Sequence, residues 1–150
     1  MTTARLHFDM VVIGFGKGGK TLAGAYAKTG KNVALIEQSS NMYGGTCINI
    51  GCVPTKALVH RADEFRASGE HNADAANAAY ELTGAMRAKN REILESNATA
   101  KLIDGHARFL SDTEVEVTAG EDKLVVTADC FIINTGAVAT IPPIPGARES

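Results

Sequence analysis

The sequence predicts an α/β fold: a parallel sheet with helices, joined by a short antiparallel meander. Three observations carry this expectation. Apolar runs without polar alternation stand at residues 8–13, 32–36 and 130–134, the pattern of strands buried on both faces. The first two runs are joined by a glycine turn and a helix-spaced apolar stripe, a unit of about 30 residues and the size of a βαβ crossover. Ahead of the third run, short strand-like segments at 106–109, 114–118 and 123–126 are separated by Ser111-Asp112 and Gly120-Glu121-Asp122, the residues of tight turns.

The elements follow in order. The first strand ends at Gly14. Leu22, Ala25 and Tyr26 stripe a helix over 19–28, and Gly30 stops it. The second strand closes on Glu37, and residues 39–51 form a glycine-bearing loop. Pro54 suits the first turn of a helix, where its missing N–H costs little, so the next helix runs from about 53 to about 66. Small polar residues at 67–77 read as a loop or a frayed helix start. Leu82, Ala85, Met86, Ile93 and Leu94 mark one amphipathic helix over 78–100. The meander comes next, and the strand at 130–134 places Cys130 in the core as a small hydrophobe. Ile141-Pro142-Pro143-Ile144-Pro145-Gly146 fits neither helix nor central strand. The expected organisation is one domain over 1–140 and a Pro-rich exit linker over 141–150, the first part of a longer protein.

Composition narrows the function classes. The chain has 150 residues and a formal net charge of −2, with 45% hydrophobic and 21% charged residues. That supports one packed core and excludes a disordered tail. It supplies no excess cation for a nucleic-acid binder working by bulk charge. No apolar stretch reaches the roughly 18 residues of a membrane span. The N-terminus has no signal-peptide pattern, so the expected setting is cytoplasmic, with neither nucleic acid nor membrane as partner. Arg5, Lys17, Lys20 and Lys28 read as solvated charges, with Lys17 able to reach a phosphate.

Gly14-Phe15-Gly16-Lys17-Gly18-Gly19 fits G-x-G-x-x-G, with glycines at 14, 16 and 19. In a Rossmann-like unit the first glycine allows the turn, the second lets backbone approach a pyrophosphate, and the third lets helix and strand pack closely. The helix start offers unpaired N–H groups and a partial positive charge to the anion. Glu37, at the end of the second strand, is placed to accept hydrogen bonds from the hydroxyls of an adenosine ribose. The motif does not choose between NAD and FAD.

Cys47 and Cys52 stand five positions apart, with Gly51 between them and Pro54 and Lys56 after. A thiol at a helix start with a cation one turn on gains thiolate character, and a near pair in a reducing compartment suits a reversible dithiol. Three other readings stay open on the residues alone. They are two inert buried thiols, a metal clip with His60 the nearest candidate, and a structural disulfide.

The stretch from Gly44 to Lys56, Gly-Gly-Thr-Cys-Ile-Asn-Ile-Gly-Cys-Val-Pro-Thr-Lys, resembles the active-site signature of the flavin-dependent pyridine nucleotide–disulfide oxidoreductases. That family includes glutathione reductase, dihydrolipoamide dehydrogenase and mercuric reductase. Gly105-His106-Ala107 is similar to the strand start whose backbone meets the adenine. Thr135-Gly136-Ala137 is similar to the family's Thr-Gly-Ser flavin signature, with Ala137 replacing Ser. The resemblance covers essentially the whole chain. It implies a three-layer FAD-binding domain, incomplete here, with NAD(P)H as co-substrate and a homodimer as the full assembly. Gly14, Gly16, Gly19, Glu37, Gly45, Thr46, Lys56, His106, Ala107, Thr135, Gly136 and Ala137 would serve the cofactor. Cys52 would face the flavin and Cys47 would exchange with the oxidant, a disulfide, a metal ion or another small molecule. Ile13 to Lys17 and Met42 to Gly45, with Ile48, Ile50 and Thr55, resemble a bacterial branch linked to reactive-chlorine resistance and copper-ion reduction.

The resemblance also implies that much of the enzyme lies elsewhere. One G-x-G-x-x-G leaves no nicotinamide domain in this stretch, and the dimer-interface domain is absent from it as well. The chain alone is then not expected to turn over, and a missing strand should leave an open sheet edge. The alternatives are a non-catalytic redox sensor that binds a dinucleotide and a soft-metal-binding module.

Overall fold

The structure, a computed structural model, describes residues 4–68 and 73–147. Residues 69–72 of the expected 67–77 loop, and the last three of the linker, lie outside the described residues. In chain order the elements are β1 (Ala4–Ile13), α1 (Lys17–Ala27), β2 (Val33–Glu37), a single 3-10 turn (Ser40–Met42), α2 (Thr46–Asn49), α3 (Cys52–Ser68), α4 (Ala73–Glu95), β3 (Ala100–Asp104), β4 (His106–Ser111), β5 (Glu114–Ala119) and β6 (Asp122–Ile133).

The strands form one sheet in the order β3-β2-β1-β6-β5-β4. β3, β2, β1 and β6 run parallel, with β6 paired to β1 from Leu124 to Ile133. β6, β5 and β4 continue as an antiparallel meander. Alternation along β1 and β2 separates two cores. Val11, Ile13, Ala34 and Ile36 pack with Val115, Val117 and Val126, so the meander lies across one face of the parallel strands. Met10, Val12, Val33 and Leu35 pack with Ala23 and Ala27 of α1, Tyr43 and Leu94 of α4 on the other face. The result is three layers: meander, parallel sheet and helices. Each fully buried Val, Leu or Ile contributes roughly 1.5–3 kcal/mol of transfer free energy.

The structure corrects three expectations. The long helix stops at Glu95 rather than near 100. The Nδ2 of Asn97 donates to the carbonyls of Ile93 and Leu94 at 3.1 and 3.4 Å, so a side chain occupies the groups a further turn would use. Ala100–Asp104 is then free to pair with β2 as a fourth parallel strand. The segments expected at 123–126 and 130–134 are one twelve-residue strand, which pairs with β5 over residues 122–127 and with β1 over residues 124–133.

Cys130 is exposed, contrary to the expectation of a core residue. It pairs with Met10, whose face is the helical one. The helices on that face pack over β1, β2 and β3, and their core takes in no buried residue of β6. Beyond Thr127, β6 pairs with β1 and with no other described strand, which leaves an open edge over residues 128–133.

Candidate functional site

The carboxyl ends of β1, β2 and β6 converge on the glycine turn. Gly14 adopts φ +104°, a region that only glycine enters freely, and its missing side chain leaves room for the backbone of Asn134. A Cβ on Gly16 would stand 2.8 Å from the Nδ2 of Asn134, and one on Gly19 would stand 2.7 Å from Val12 Cγ1. The same Nδ2 donates to the carbonyl of Gly14 at 3.1 Å. Asn134 is therefore the floor beneath all three glycines. Its only trace in the sequence is its place at the end of an apolar run, just before Thr135-Gly136. Above the floor, α1 starts after Gly16 with no side-chain cap, so its first N–H groups point outward without helical partners.

Glu37 closes one side of the turn. Its Oε2 accepts the Phe15 N–H at 2.9 Å and its Oε1 accepts the Ser39 N–H at 3.0 Å. Two cavities meet at this carboxylate. One, of about 280 Å³, is lined by Glu37, Gly105, His106 and Ala107. The other, of about 450 Å³, is lined by Gly16, Lys17, Gly45, Thr46, Cys47, Asn134 and Thr135-Gly136-Ala137. They share Gly14, Glu37, Gln38 and Thr135, which makes one elongated cleft. Gly19 lies beneath this cleft, buried against the sheet, rather than on its wall.

The cysteine loop is fastened to the turn. Gly45 has φ +78°, and a Cβ there would stand 2.7 Å from the Cα of Gly16. The N–H of Gly44 donates to the carbonyl of Phe15 at 3.0 Å. Phe15 is fully buried and its ring meets Tyr43 with centroids 5.1 Å apart. The Tyr43 hydroxyl donates to Asp104 at the end of β3, beneath the guanidinium of Arg91. Burial and that carboxylate push the phenol up to about 12. The Nδ2 of Asn49 donates to the carbonyls of Tyr43 and Gly45 at 3.1 and 2.9 Å, which binds α2 to the same loop.

Cys47 lies half-buried on α2, and Cys52, exposed, is the first residue of α3. Both are free thiols, and Cys52 stands near enough to Cys47 to shift its titration. The hydrogen bond to Cys52, then burial, push the Cys47 thiol up; Lys17 and Lys20 of α1 act in the opposite sense. Cys47 faces the cleft, whereas Cys52 and Lys56 line a neighbouring hollow of about 390 Å³ with Val53, Ala57, His60 and Leu82. Cys52 is thus a neighbour of Cys47 across two adjoining cavities, while Lys56 lies outside the main cleft. His60 is exposed and pairs with Glu64 at 3.5 Å. Among the described residues no three His, Cys, Asp or Glu side chains converge on a metal-sized site.

Lys20 corrects the expectation of a solvated charge. It is half-buried, and its ammonium donates to the Oδ1 of Asn90 on α4. Helical spacing alone could not disclose this, because α4 arrives 70 residues later. Tyr43 stands in the Met42 to Gly45 stretch, but its pairing with Arg91 and Asp104 is tertiary and leaves no local mark in the sequence.

The family model described as pyridine nucleotide-disulphide oxidoreductase matches residues 8–150. The chain is 46% identical over 143 residues to a protein of Escherichia coli described as a probable pyridine nucleotide-disulfide oxidoreductase, RclA; the match covers 93% of this chain and 31% of that one. It is 32% identical over 153 residues to the mercuric reductase of Serratia marcescens, covering 90% of this chain and 33% of the relative. The solved structure of a Cu(II) complex of the HOCl-induced flavoprotein disulfide reductase RclA from E. coli superposes with TM-score 0.86 at 44% identity, covering 97% of this chain and 31% of that chain. The chain therefore spans about a third of the length of these relatives. No helix among the described residues is long and apolar enough to cross a membrane. With the layers, the glycine turn and the dithiol loop arranged as above, the chain belongs to the pyridine nucleotide–disulfide oxidoreductase family.

Proposed function

We propose that this chain is the FAD-binding, dithiol-bearing part of an NAD(P)H-dependent oxidoreductase. In this reading electrons reach a disulfide, a metal ion or another oxidant through Cys47 and Cys52. The observation that carries it is the contact of Gly45 on Gly16, which fixes Cys47, with Cys52 as its neighbour, on the wall of an elongated cleft beside the glycine turn. Cys47 and Cys52 are the residues proposed to do the thiol chemistry.

The residues fit the cofactor. Gly14 and Gly16 leave a surface where a methyl group would collide with Asn134, and the N–H groups at the start of α1 suit the pyrophosphate. Glu37 is placed for the ribose, Gly105-His106-Ala107 for the adenine, and Gly45, Thr46 and Thr135-Gly136-Ala137 for the flavin half. Lys56 is proposed for the edge of the ring. FAD supplies a two-electron carrier between a nicotinamide and the thiols.

The protein's own part is to hold two sulfur atoms in reach and to manage their protons. With a disulfide oxidant, the Cys47 thiolate attacks one sulfur, a mixed disulfide forms and one thiolate leaves. Cys52 as thiolate then attacks the Cys47 sulfur, closing the Cys47–Cys52 bond and releasing the second thiolate. The Cu(II) in the RclA complex supports a metal ion as the other oxidant class. On this reading the nicotinamide site and the homodimer interface belong to the two-thirds of the relatives' length that this chain does not match.

Reconstitution with FAD tests the proposal. The expected result is a yellow protein whose reduced form shows a long-wavelength thiolate–flavin absorption that Cys52→Ser abolishes. Survival of that absorption in Cys52→Ser would reverse the two cysteine roles. A colourless protein that loses two free thiols on adding Cu(II) would make the chain a soft-metal-binding module instead.

A further inference from the structure

One cation is fixed where α1, α4 and the cysteine loop meet. Lys20 stands one turn into α1, half-buried, and donates to the Oδ1 of Asn90. Asn90 is itself oriented, because its Nδ2 donates to the carbonyl of Met86 at 2.6 Å. The amide therefore presents oxygen, not nitrogen, to the ammonium. It also touches the redox loop: a Cβ on Gly44 would stand 3.2 Å from that Nδ2, three residues before Cys47. A lysine on an open surface spreads its charge over many rotamers. Here a partner with its own anchor holds the charge in one place.

The other groups around Cys47 are accounted for element by element. Lys17 of α1 is exposed and shares the cleft wall with Cys47. From α3, Cys52 is the hydrogen-bond partner, and Lys56 opens on the neighbouring hollow. From α4, Arg87 is tied to the Oδ1 of Asn49 at 3.2 Å. Burial, and Lys17 beside it, hold the Lys20 ammonium below the usual lysine range, and Cys47 acts on it in the opposite sense.

We propose that Lys20, tethered by Asn90, is the fixed counter-charge of the Cys47 thiolate. It is a positioning residue that acts on the nucleophile through space. The proposal deepens the dithiol reading and rests on it. A thiol and a thiolate differ by one charge, so a cation in a half-buried place favours the thiolate more than an exposed one does, because solvent and salt screen it less. Lys17 acts on Cys47 in the same sense and ahead of Lys20, but from an exposed place, so solvent and salt screen it more and only the Lys20 contribution should survive added salt.

Alkylation of Cys47 reads this directly. The reduced protein, with whatever FAD it retains, is treated with limiting iodoacetamide from pH 6 to 11, and Cys47 labelling is followed by peptide mass spectrometry. Lys20→Met is expected to raise the midpoint and slow Cys47 labelling at pH 7.5 about threefold to tenfold, a shift of roughly half to one pK unit. Lys20→Arg should restore most of the rate. Asn90→Ala should give a smaller loss, and Lys28→Met, exposed just past the end of α1, should match wild type. Added salt should erase more of a Lys17→Met effect than of the Lys20→Met effect. An unmoved midpoint in natively folded Lys20→Met overturns the proposal. So does an equal shift in Lys20→Arg, which would assign the effect to packing. If Lys20→Met fails to fold, Asn90→Ala carries the test, and an unmoved midpoint there counts equally against it. Flavin absorbance of the same samples reports on the parent reading: a colourless protein with a Lys20-dependent Cys47 titration keeps the counter-charge and overturns the cofactor.

Discussion

Replacing Tyr43 with Phe removes one hydroxyl from the anchor of the cysteine loop and has a signature in pH. Tyr43 is 4% exposed, donates to Asp104 and lies under Arg91, whose carbon is 5.7 Å from the ring centroid. Burial first, then Asp104, raise the phenol from 10.0 to about 12. The folded state therefore holds this proton more tightly than the unfolded chain. The stabilisation is complete below pH 10 and is lost as pH rises from about 10 to about 12. Two pK units amount to about 2.7 kcal/mol. The Asp104 side chain is 52% exposed, so solvent screening reduces this to about 1–2 kcal/mol. Near pH 8, Tyr43→Phe should cost about 1 kcal/mol, since Asp104 can turn to water and Arg91. Urea unfolding of both proteins at steps from pH 8 to 12, with reductant present, measures the difference. The wild-type advantage should shrink to nothing or change sign by pH 12. Two stability curves that stay parallel across that range would refute the reasoning, because the other alkaline titrations are common to both proteins.

Other consequences can be measured on the same material. Gly45→Ala places a methyl group 2.7 Å from the Cα of Gly16 at φ +78°, so a loss of about 1–3 kcal/mol and poor FAD retention are expected, read by urea unfolding and bound-flavin absorbance. Asn134→Ala removes the donor to Gly14 and should weaken FAD binding about fivefold, roughly 1 kcal/mol, in a fluorescence titration. Cys47 is pushed up chiefly by Cys52, so Cys52→Ala should lower the pH midpoint of Cys47 alkylation; a higher midpoint would contradict the hydrogen bond between them. Phe15→Ala empties a fully buried site and should cost about 3–5 kcal/mol in urea unfolding.

The glycine turn was legible because its constraints are local. A strand end, three glycines and a carboxylate one strand later lie within 24 residues, and each is dictated by backbone geometry. The dithiol loop was legible for the same reason. β3 was not, because Ala100–Asp104 follows the long helix closely and alternates weakly; Ser96 and Asn97, which stop that helix, were the overlooked signal. The continuity of β6 was hidden by Thr127-Ala128-Asp129, where the strand runs on past the start of β5 and keeps only β1 as a partner. Exposure of Cys130 depends on how far the helical layer extends, and no residue near Cys130 encodes that. The roles of Lys20 and Tyr43 depend on partners that α4 and β3 bring from about 60 to 70 positions away.

Asn134 carries one further consequence, in time rather than in space. It seals the underside of Gly14 from 120 positions later in the chain. At about 5–20 residues per second, a ribosome needs roughly 6–24 s to supply it. Once β2 has emerged, β1 has that partner but none in β6, and its other flank waits uncovered. That flank of the nascent chain is therefore open to sticking and to chaperone capture until β6 emerges, and the phosphate pocket has no floor until Asn134 follows it.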